Sequence, residues 1–148
     1  MTAPAIIPRD DILTLVPHQG AMCLWDEVVE WDAQAVRLRA FNHIHADHPL
    51  RSAGRLHAVH LCEYGAQAMA VHGGLRAREG GGRAAAGVLV ALRGVELHVE
   101  RIDELHGPLE CHAHVLVEGE GSQQYAFQIH HRDTLLATGR AAVMLQQP

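Results

Sequence analysis

The chain has 148 residues and a formal net charge of −5; it contains no lysine, so its 12 fixed positive charges are all arginines. This length suits one domain with a real core (residues 1–148), and the acidic balance disfavours nucleic-acid binding, which needs a basic surface. The N-terminus, Met1-Thr2-Ala3-Pro4, has no basic stretch followed by a long apolar run, so neither a secretion signal nor a membrane span is expected.

In chain order, residues 12–16 read as a short helical turn stopped by Pro17. Residues 23–32 and 35–42 read as two strands joined near Asp32-Ala33. In the second, Val36, Leu38 and Ala40 alternate with Arg37 and Arg39, the period of a half-buried strand. A long loop from 43 to about 55 leads to an apolar helix over 56–71. Glycines 80–82 end the helix and link it flexibly to the C-terminal half. The pattern is then β throughout: a long strand over 87–101, another over 109–118, a turn at Gly119-Glu120-Gly121-Ser122, and a strand placing Tyr125, Phe127 and Ile129 on one face. After a turn at Arg132-Asp133, a last strand runs over 135–145.

Within the helix, Glu63 is the one acid, and the segment from Leu56 to Val71 has no Lys or Arg. A helix with no charged face is expected to be surrounded by protein on most sides. An ionised carboxylate buried there needs a partner, a proton or a function. At about 100° per residue, Val59, Ala66 and Ala70 flank Glu63 on one side and Leu56, His60 and Gln67 on the other. Glu63 is therefore either a catalytic group or an anchor tying the helix to the preceding loop. Gln67, one turn on, either orients it or satisfies a backbone group, and Tyr64 points away and reads as packing.

One helix and some six strands bury that helix only if the sheet curls round it. The expected class is α+β, a hotdog fold with an antiparallel sheet wrapped around one long central helix. Gly65, Ala66, Ala68 and Ala70 are small enough to let the sheet approach. Cys23, Cys62 and Cys111 are isolated within apolar patterns, which argues against a disulfide framework and fits a reducing cytoplasm. The 13 histidines form no tidy ligand set: His43, His45 and His48 fall in a loop, and His112 and His114 alternate along a strand, so no metal is expected.

The segment from Val16-Pro17-His18-Gln19-Gly20 to Asp26-Glu27-Val28 resembles the opening motif of hotdog β-hydroxyacyl-acyl-carrier-protein dehydratases. Cys62-Glu63-Tyr64-Gly65-Ala66-Gln67 is similar to their Glu-x-x-x-Gln helix. More narrowly, His48-Pro49-Leu50-Arg51, then Gly54-Arg55-Leu56 and the helix to Gly74, resembles the ApeP-like branch, associated with aryl polyene gene clusters. The resemblance implies a dimer, with itself or with another hotdog chain, whose sites lie at the subunit interface. There a loop histidine and a helix carboxylate from opposite subunits act on a 3-hydroxyacyl thioester. The thioester is carried on the phosphopantetheine arm of an acyl carrier protein, in fatty-acid or polyene synthesis, and no cofactor is implied. The carboxylate carries over to Glu63 and the neighbouring amide to Gln67. The family's loop histidine stands fourteen residues before the acid; here that position is Pro49, and His48 precedes it by one.

Such a dehydration needs a base for the α-proton and an acid for the departing hydroxyl. His48, His18 and His60 compete for the base. His18 is equally readable as a structural hydrogen-bonding residue, and His60 as a neutraliser of a buried acid one turn away. Backbone donors for the thioester oxygen are expected near the helix start, around Gly54 to His57 and including Leu56. Arg51, Arg55, Arg76, Arg78 and Arg83 are candidates for an acidic carrier's docking patch. Two other readings stay open: a hotdog thioesterase with Glu63 activating water, and a catalytically degraded subunit that binds an acyl chain or partners an active dehydratase.

Overall fold

The computed structural model of the chain describes residues 6–81 and 87–145. In chain order its elements are β1 (Ile7–Pro8), the single turn α1 (Arg9–Ile12), β2 (Glu27–Trp31), β3 (Ala35–Ala40), the long helix α2 (Leu61–Glu79), β4 (Gly87–Leu97), β5 (Leu109–Gly119), β6 (Ser122–His131) and β7 (Thr134–Leu145). The strands form one antiparallel sheet in the order β1-β2-β3-β5-β6-β7-β4. β4 comes directly after the helix yet pairs with β7, so it forms one edge of the sheet and two-residue β1 the other.

The period-2 alternation explains which face wraps the helix. Val36, Leu38 and Ala40 of β3, Leu109, Cys111 and Ala113 of β5, and Tyr125, Phe127 and Ile129 of β6 are all buried. They close over Leu61, Tyr64, Gly65, Ala68, Met69, Val71 and Leu75 of α2. Residues between them point outward, and there Arg37 meets Glu30 at 2.9 Å and Arg39 meets Glu110 at 3.2 Å. This is the hotdog architecture, an antiparallel sheet curled round one long helix.

Two glycines of α2 set how closely helix and sheet approach. A Cβ on Gly65 would lie 2.8 Å from the Phe127 ring, and one on Gly74 would lie 2.6 Å from the Leu15 carbonyl oxygen. Neither neighbour can yield cheaply, because the ring is fully enclosed and the carbonyl belongs to backbone. The helix therefore runs through the Gly73-Gly74 pair and ends only at Glu79, beside Gly80 and Gly81.

The helix expected from residue 56 begins five residues later. Leu56 and His57 are held against the segment after β4: Ile102 N–H donates to the Leu56 carbonyl and Ala58 N–H to the Glu100 carbonyl, both at 2.9 Å. The Leu56 amide donates to Asp103 Oδ1 at 2.9 Å, and Arg101 clamps the same carboxylate. A short 3-10 turn (Ala58–His60) then leads into α2. β2 likewise opens at Glu27 rather than 23, because Trp25 leaves the sheet to bury its ring against Tyr64 and donate its indole N–H to the Tyr64 carbonyl at 2.8 Å. Among the described residues, no helix is long and apolar enough to cross a membrane.

Candidate active site

Glu63 stands in the first turn of α2, with its side chain 38 % exposed towards an open groove rather than enclosed in the core. The groove measures about 1290 Å³ and runs along the helix past Ala66, Met69, Ala70 and Gly73 to Arg76 and Ala77. Its other wall comes from Leu13, Leu15, Val16, Pro17 and His18 before β2, and from Leu89, Val143 and Leu145 at the sheet edge. One stripe of the apolar helix is thus left uncovered by its own chain, and Glu63 opens onto it.

Gln67 fixes the carboxylate. Its Oε1 accepts from Leu24 N–H at 2.9 Å, and its Nε2 donates to the Met22 carbonyl at 2.8 Å and to Glu63 Oε1 at 2.9 Å. Only 2 % of the residue is exposed, so the amide both satisfies the segment before β2 and holds Glu63 in place. That segment brings His18 to the site: Nε2 of His18 lies 3.7 Å from Glu63 Oε1. Its Nδ1 is buried and has no hydrogen-bond partner among the described residues. Arg9 ties the segment down through the carbonyls of Gly20 at 2.6 Å and Cys23 at 2.5 Å, and the Gln19 side chain donates to the Leu13 carbonyl at 2.9 Å. No sequence signal marked Arg9, because its partners, the Gly20 and Cys23 carbonyls and the Asp26 carboxylate at 3.6 Å, all lie more than ten residues away along the chain.

His48 goes elsewhere. The Leu50 N–H donates to its Nδ1 at 3.1 Å, so that nitrogen carries no proton and Nε2–H is the donor to the Tyr64 hydroxyl at 3.0 Å. Tyr64 in turn donates to Asn42 Oδ1 at 2.9 Å, and Asn42 Nδ2 to the Leu24 carbonyl at 3.0 Å. Burial, helped by the Arg51 charge, pushes the His48 pKa down to about 4. Tyr64 is the residue after Glu63 and so projects about 100° away from it. A histidine bonded to Tyr64 is therefore turned from the groove, and Tyr64 is a polar anchor as well as packing.

The other sequence candidates are spread out. His60 ends the 3-10 turn before α2, and neither a hydrogen bond nor an ion pair joins it to Glu63. Gly54 takes φ +74° in an exposed turn closed by Ser52 and Arg55, and Leu56 is fully enclosed. The amides of Arg55, Leu56 and Ala58 already donate within the chain, so they are not free to meet a thioester oxygen. Arg51 donates to the carbonyls of Gly54 and Ile44, and Arg76 is paired with Glu118. Arg78 lines the groove's far end, Arg55 is exposed, and Arg83 lies outside the described residues. The three cysteines are free thiols, and burial raises the pKa of each. Among the described residues no three His, Cys, Asp or Glu groups are placed to share a metal.

His72 is a buried group that no sequence pattern singled out. Its Nε2–H donates to the Asp32 carbonyl at 2.7 Å, and its Nδ1 accepts from the Tyr125 hydroxyl at 2.5 Å. Burial lowers the pKa of His43, His48 and His72 alike. The unfolded chain holds these imidazoles near their ordinary pKa of about 6.5. Below that pH the unfolded state binds protons that the folded state refuses, so their stabilisation is complete above about 6.5 and is lost as pH falls below it, for His48 down to about 4. For His48 the loss is up to about 1.4 kcal/mol per pH unit between those values. Urea midpoints measured from pH 7.5 to 4.5 should fall steadily below about pH 6.5; a flat profile down to pH 5 would contradict the assignment.

The overall geometry is similar to a chain of the dehydratase heterocomplex ApeI:P from Xenorhabdus doucetiae, with a TM-score of 0.81, 22 % identity, and coverage of 92 % of this chain and 91 % of that one. It also resembles a hypothetical thioesterase protein with coenzyme A from Streptococcus pneumoniae TIGR4 (TM-score 0.60, 10 % identity, 80 % and 84 % covered). The PaaI protein of E. coli is similar at a TM-score of 0.58 and 17 % identity, with 79 % of this chain and 80 % of that chain covered. At these identities the likeness concerns the fold. No curated protein sequence matches the chain. Residues 10–148 match the ApeP-like family model, described as ApeP dehydratase, and the chain belongs to that family.

Proposed function

We propose that this chain is a dehydratase of 3-hydroxyacyl thioesters presented by an acyl carrier protein, with Glu63 and His18 as its acid–base pair. The observation that carries the reading is the 3.7 Å approach of His18 Nε2 to Glu63 Oε1 at one end of an aliphatic groove. His18 takes the proton from C2 of the acyl chain, and the electrons of that bond form the C2–C3 double bond. The C3–O bond breaks as Glu63 gives a proton to the hydroxyl, which leaves as water. The proton held by His18 then returns to Glu63 across the short gap. Gln67 occupies Oε1, which leaves Oε2 for the substrate.

Incubation with carrier-bound 3-hydroxyacyl and 2-enoyl thioesters tests the reading, and interconversion is the expected result. Release of free thiol without it would instead make Glu63 the activator of a hydrolytic water and the chain a thioesterase. Turnover seen only after a second hotdog chain is added would make this chain a partner subunit.

The partner we infer is a second hotdog chain, identical or different, seated along β4. That edge strand leaves Val88, Leu89, Val90 and Leu92 exposed, with Val90 52 % accessible, and no third element covers its free side among the described residues. Long apolar edges are ready templates for strand pairing, and exposed apolar patches mark contact surfaces. The heterocomplex that contains the similar Xenorhabdus chain supports the same reading.

A further inference from the structure

We propose that Arg9 is a positioning residue for His18, gripping from outside the segment that Gln67 holds from the helix side; the proposal rests on the acid–base reading. From Pro17 to Asp26 the chain belongs to no strand, and its regular structure is a 3-10 turn over Gly20–Met22. Strand pairing therefore does not fix this stretch, and side-chain hydrogen bonds do. Gln67 takes the Leu24 amide and the Met22 carbonyl. Arg9 takes carbonyls on both sides of these: Nη2 donates to Gly20 at 2.6 Å, and Nη1 to Cys23 at 2.5 Å and Trp25 at 3.4 Å. One planar guanidinium thus spans a turn of backbone, which a point-charge ammonium does not copy. The Asp26 carboxylate lies farther off, at 3.6 Å, and the pair is partly exposed, so charge alone accounts for little.

His18 needs such a hold because its ring has few bonds of its own. Its Nδ1 has no hydrogen-bond partner among the described residues, and Nε2 stands 3.7 Å from Glu63, beyond hydrogen-bond length. The backbone on either side supplies the constraint. Before the ring, Pro17 and Val16 are held as the Gln19 side chain donates to the carbonyls of Leu13 and Val16, at 2.9 and 3.2 Å. After it, Arg9 anchors the carbonyl of Gly20, whose φ of +57° turns the chain. Releasing that carbonyl frees the peptide to swing, and His18 with it. Arg9 does not line the groove, so it meets no substrate and acts through His18.

The test is dehydration of the N-acetylcysteamine thioester of 3-hydroxybutanoate, measured well below each variant's thermal midpoint. Arg9→Ala should lower kcat by about 10- to 100-fold with KM little changed, the cost of moving a catalytic group by roughly an ångström. In a His18→Ala background the same change should cost less than about twofold, because the group it positions is gone. Equal losses in both backgrounds would mean that Arg9 acts by another route, and would overturn the proposal. Arg9→Lys keeps the charge beside Asp26 but not the planar fork, so full activity there would overturn it too. If His18→Ala keeps its activity, the base assignment fails and the proposal with it; a slow His18→Ala beside an unaffected Arg9→Ala refutes the positioning alone. A crystal structure of Arg9→Ala gives an answer without turnover: His18 Nε2 should lie more than about 5 Å from Glu63, outside ion-pair reach. A ring still in its present place would overturn the proposal. Arg9→Gln serves for both measurements if Arg9→Ala does not fold.

Discussion

Glu63→Gln should lower dehydration by about 10²- to 10⁴-fold, the usual worth of a positioned proton donor, while leaving the fold intact. The substitution is nearly isosteric, and its amide oxygen can still accept from Gln67 Nε2 as Glu63 Oε1 does at 2.9 Å. What disappears is the exchangeable proton. Because the side chain opens onto the groove, no buried partner is orphaned and the thermal midpoint should move little. The loss should fall on kcat rather than KM if Glu63 acts only as C3–O cleavage proceeds. Turnover within threefold of the unaltered protein, in a well-folded variant, would remove Glu63 from the chemistry. Glu63→Asp is a useful companion: it keeps the proton but withdraws it by one methylene, and should recover only part of the rate.

The parts of this chain legible in its sequence are those set by local pattern. Alternation along Val36, Leu38 and Ala40 and along Tyr125, Phe127 and Ile129 marked the inner face of the sheet, and an uncharged helix with strands before and after it pointed to the wrapped architecture. The Glu63-to-Gln67 spacing of one turn also reads directly, and the two side chains do meet. The helix start did not read, because what unwinds residues 56–58 is Asp103, forty-seven positions away, taking the Leu56 amide. Short β1 was missed for a similar reason: Ile7 and Pro8 are a strand only because β2 lies beside them.

Glu63 itself carried a misleading cue. An acid alone in an apolar helix suggests burial, yet one stripe of α2 faces an open groove, and the same apolar residues that imply a core here line a cleft. Periodicity reports which residues avoid water; whether a sheet, a ligand or a second chain does the covering lies outside it. The histidines show the limit most sharply. The loop offset matched His48 to a base that meets a partner's acid, and one chain alone shows only that its ring does not meet the acid of its own helix. Side chains at 63 and 64 diverge by about 100°, and His48 goes with the second.

Replacing His18 and His48 separately should therefore give opposite kinds of damage. His18→Ala should cut dehydration by about 10²- to 10⁴-fold, remove the limb of the pH–rate profile that belongs to the base, and change the thermal midpoint little, since the ring makes no hydrogen bond that the segment needs. His48→Ala should do the reverse. It strips the Leu50 amide of its acceptor and the Tyr64 hydroxyl of one of its two partners inside a buried network, a loss of about 2–3 kcal/mol. At roughly 2–4 °C per kcal/mol for a domain near this size, the midpoint should drop by roughly 4–12 °C. Turnover per folded molecule should stay within about fivefold, because a ring whose two nitrogens are both engaged, with a pKa near 4, is a poor proton acceptor at neutral pH. Tyr64→Phe should share the stability loss and not the rate loss, since it cuts the same chain of hydrogen bonds from the other side. The opposite pattern, a stable His48→Ala protein without activity beside an active His18→Ala, would return the base to His48 and require the acid and base to meet across two subunits.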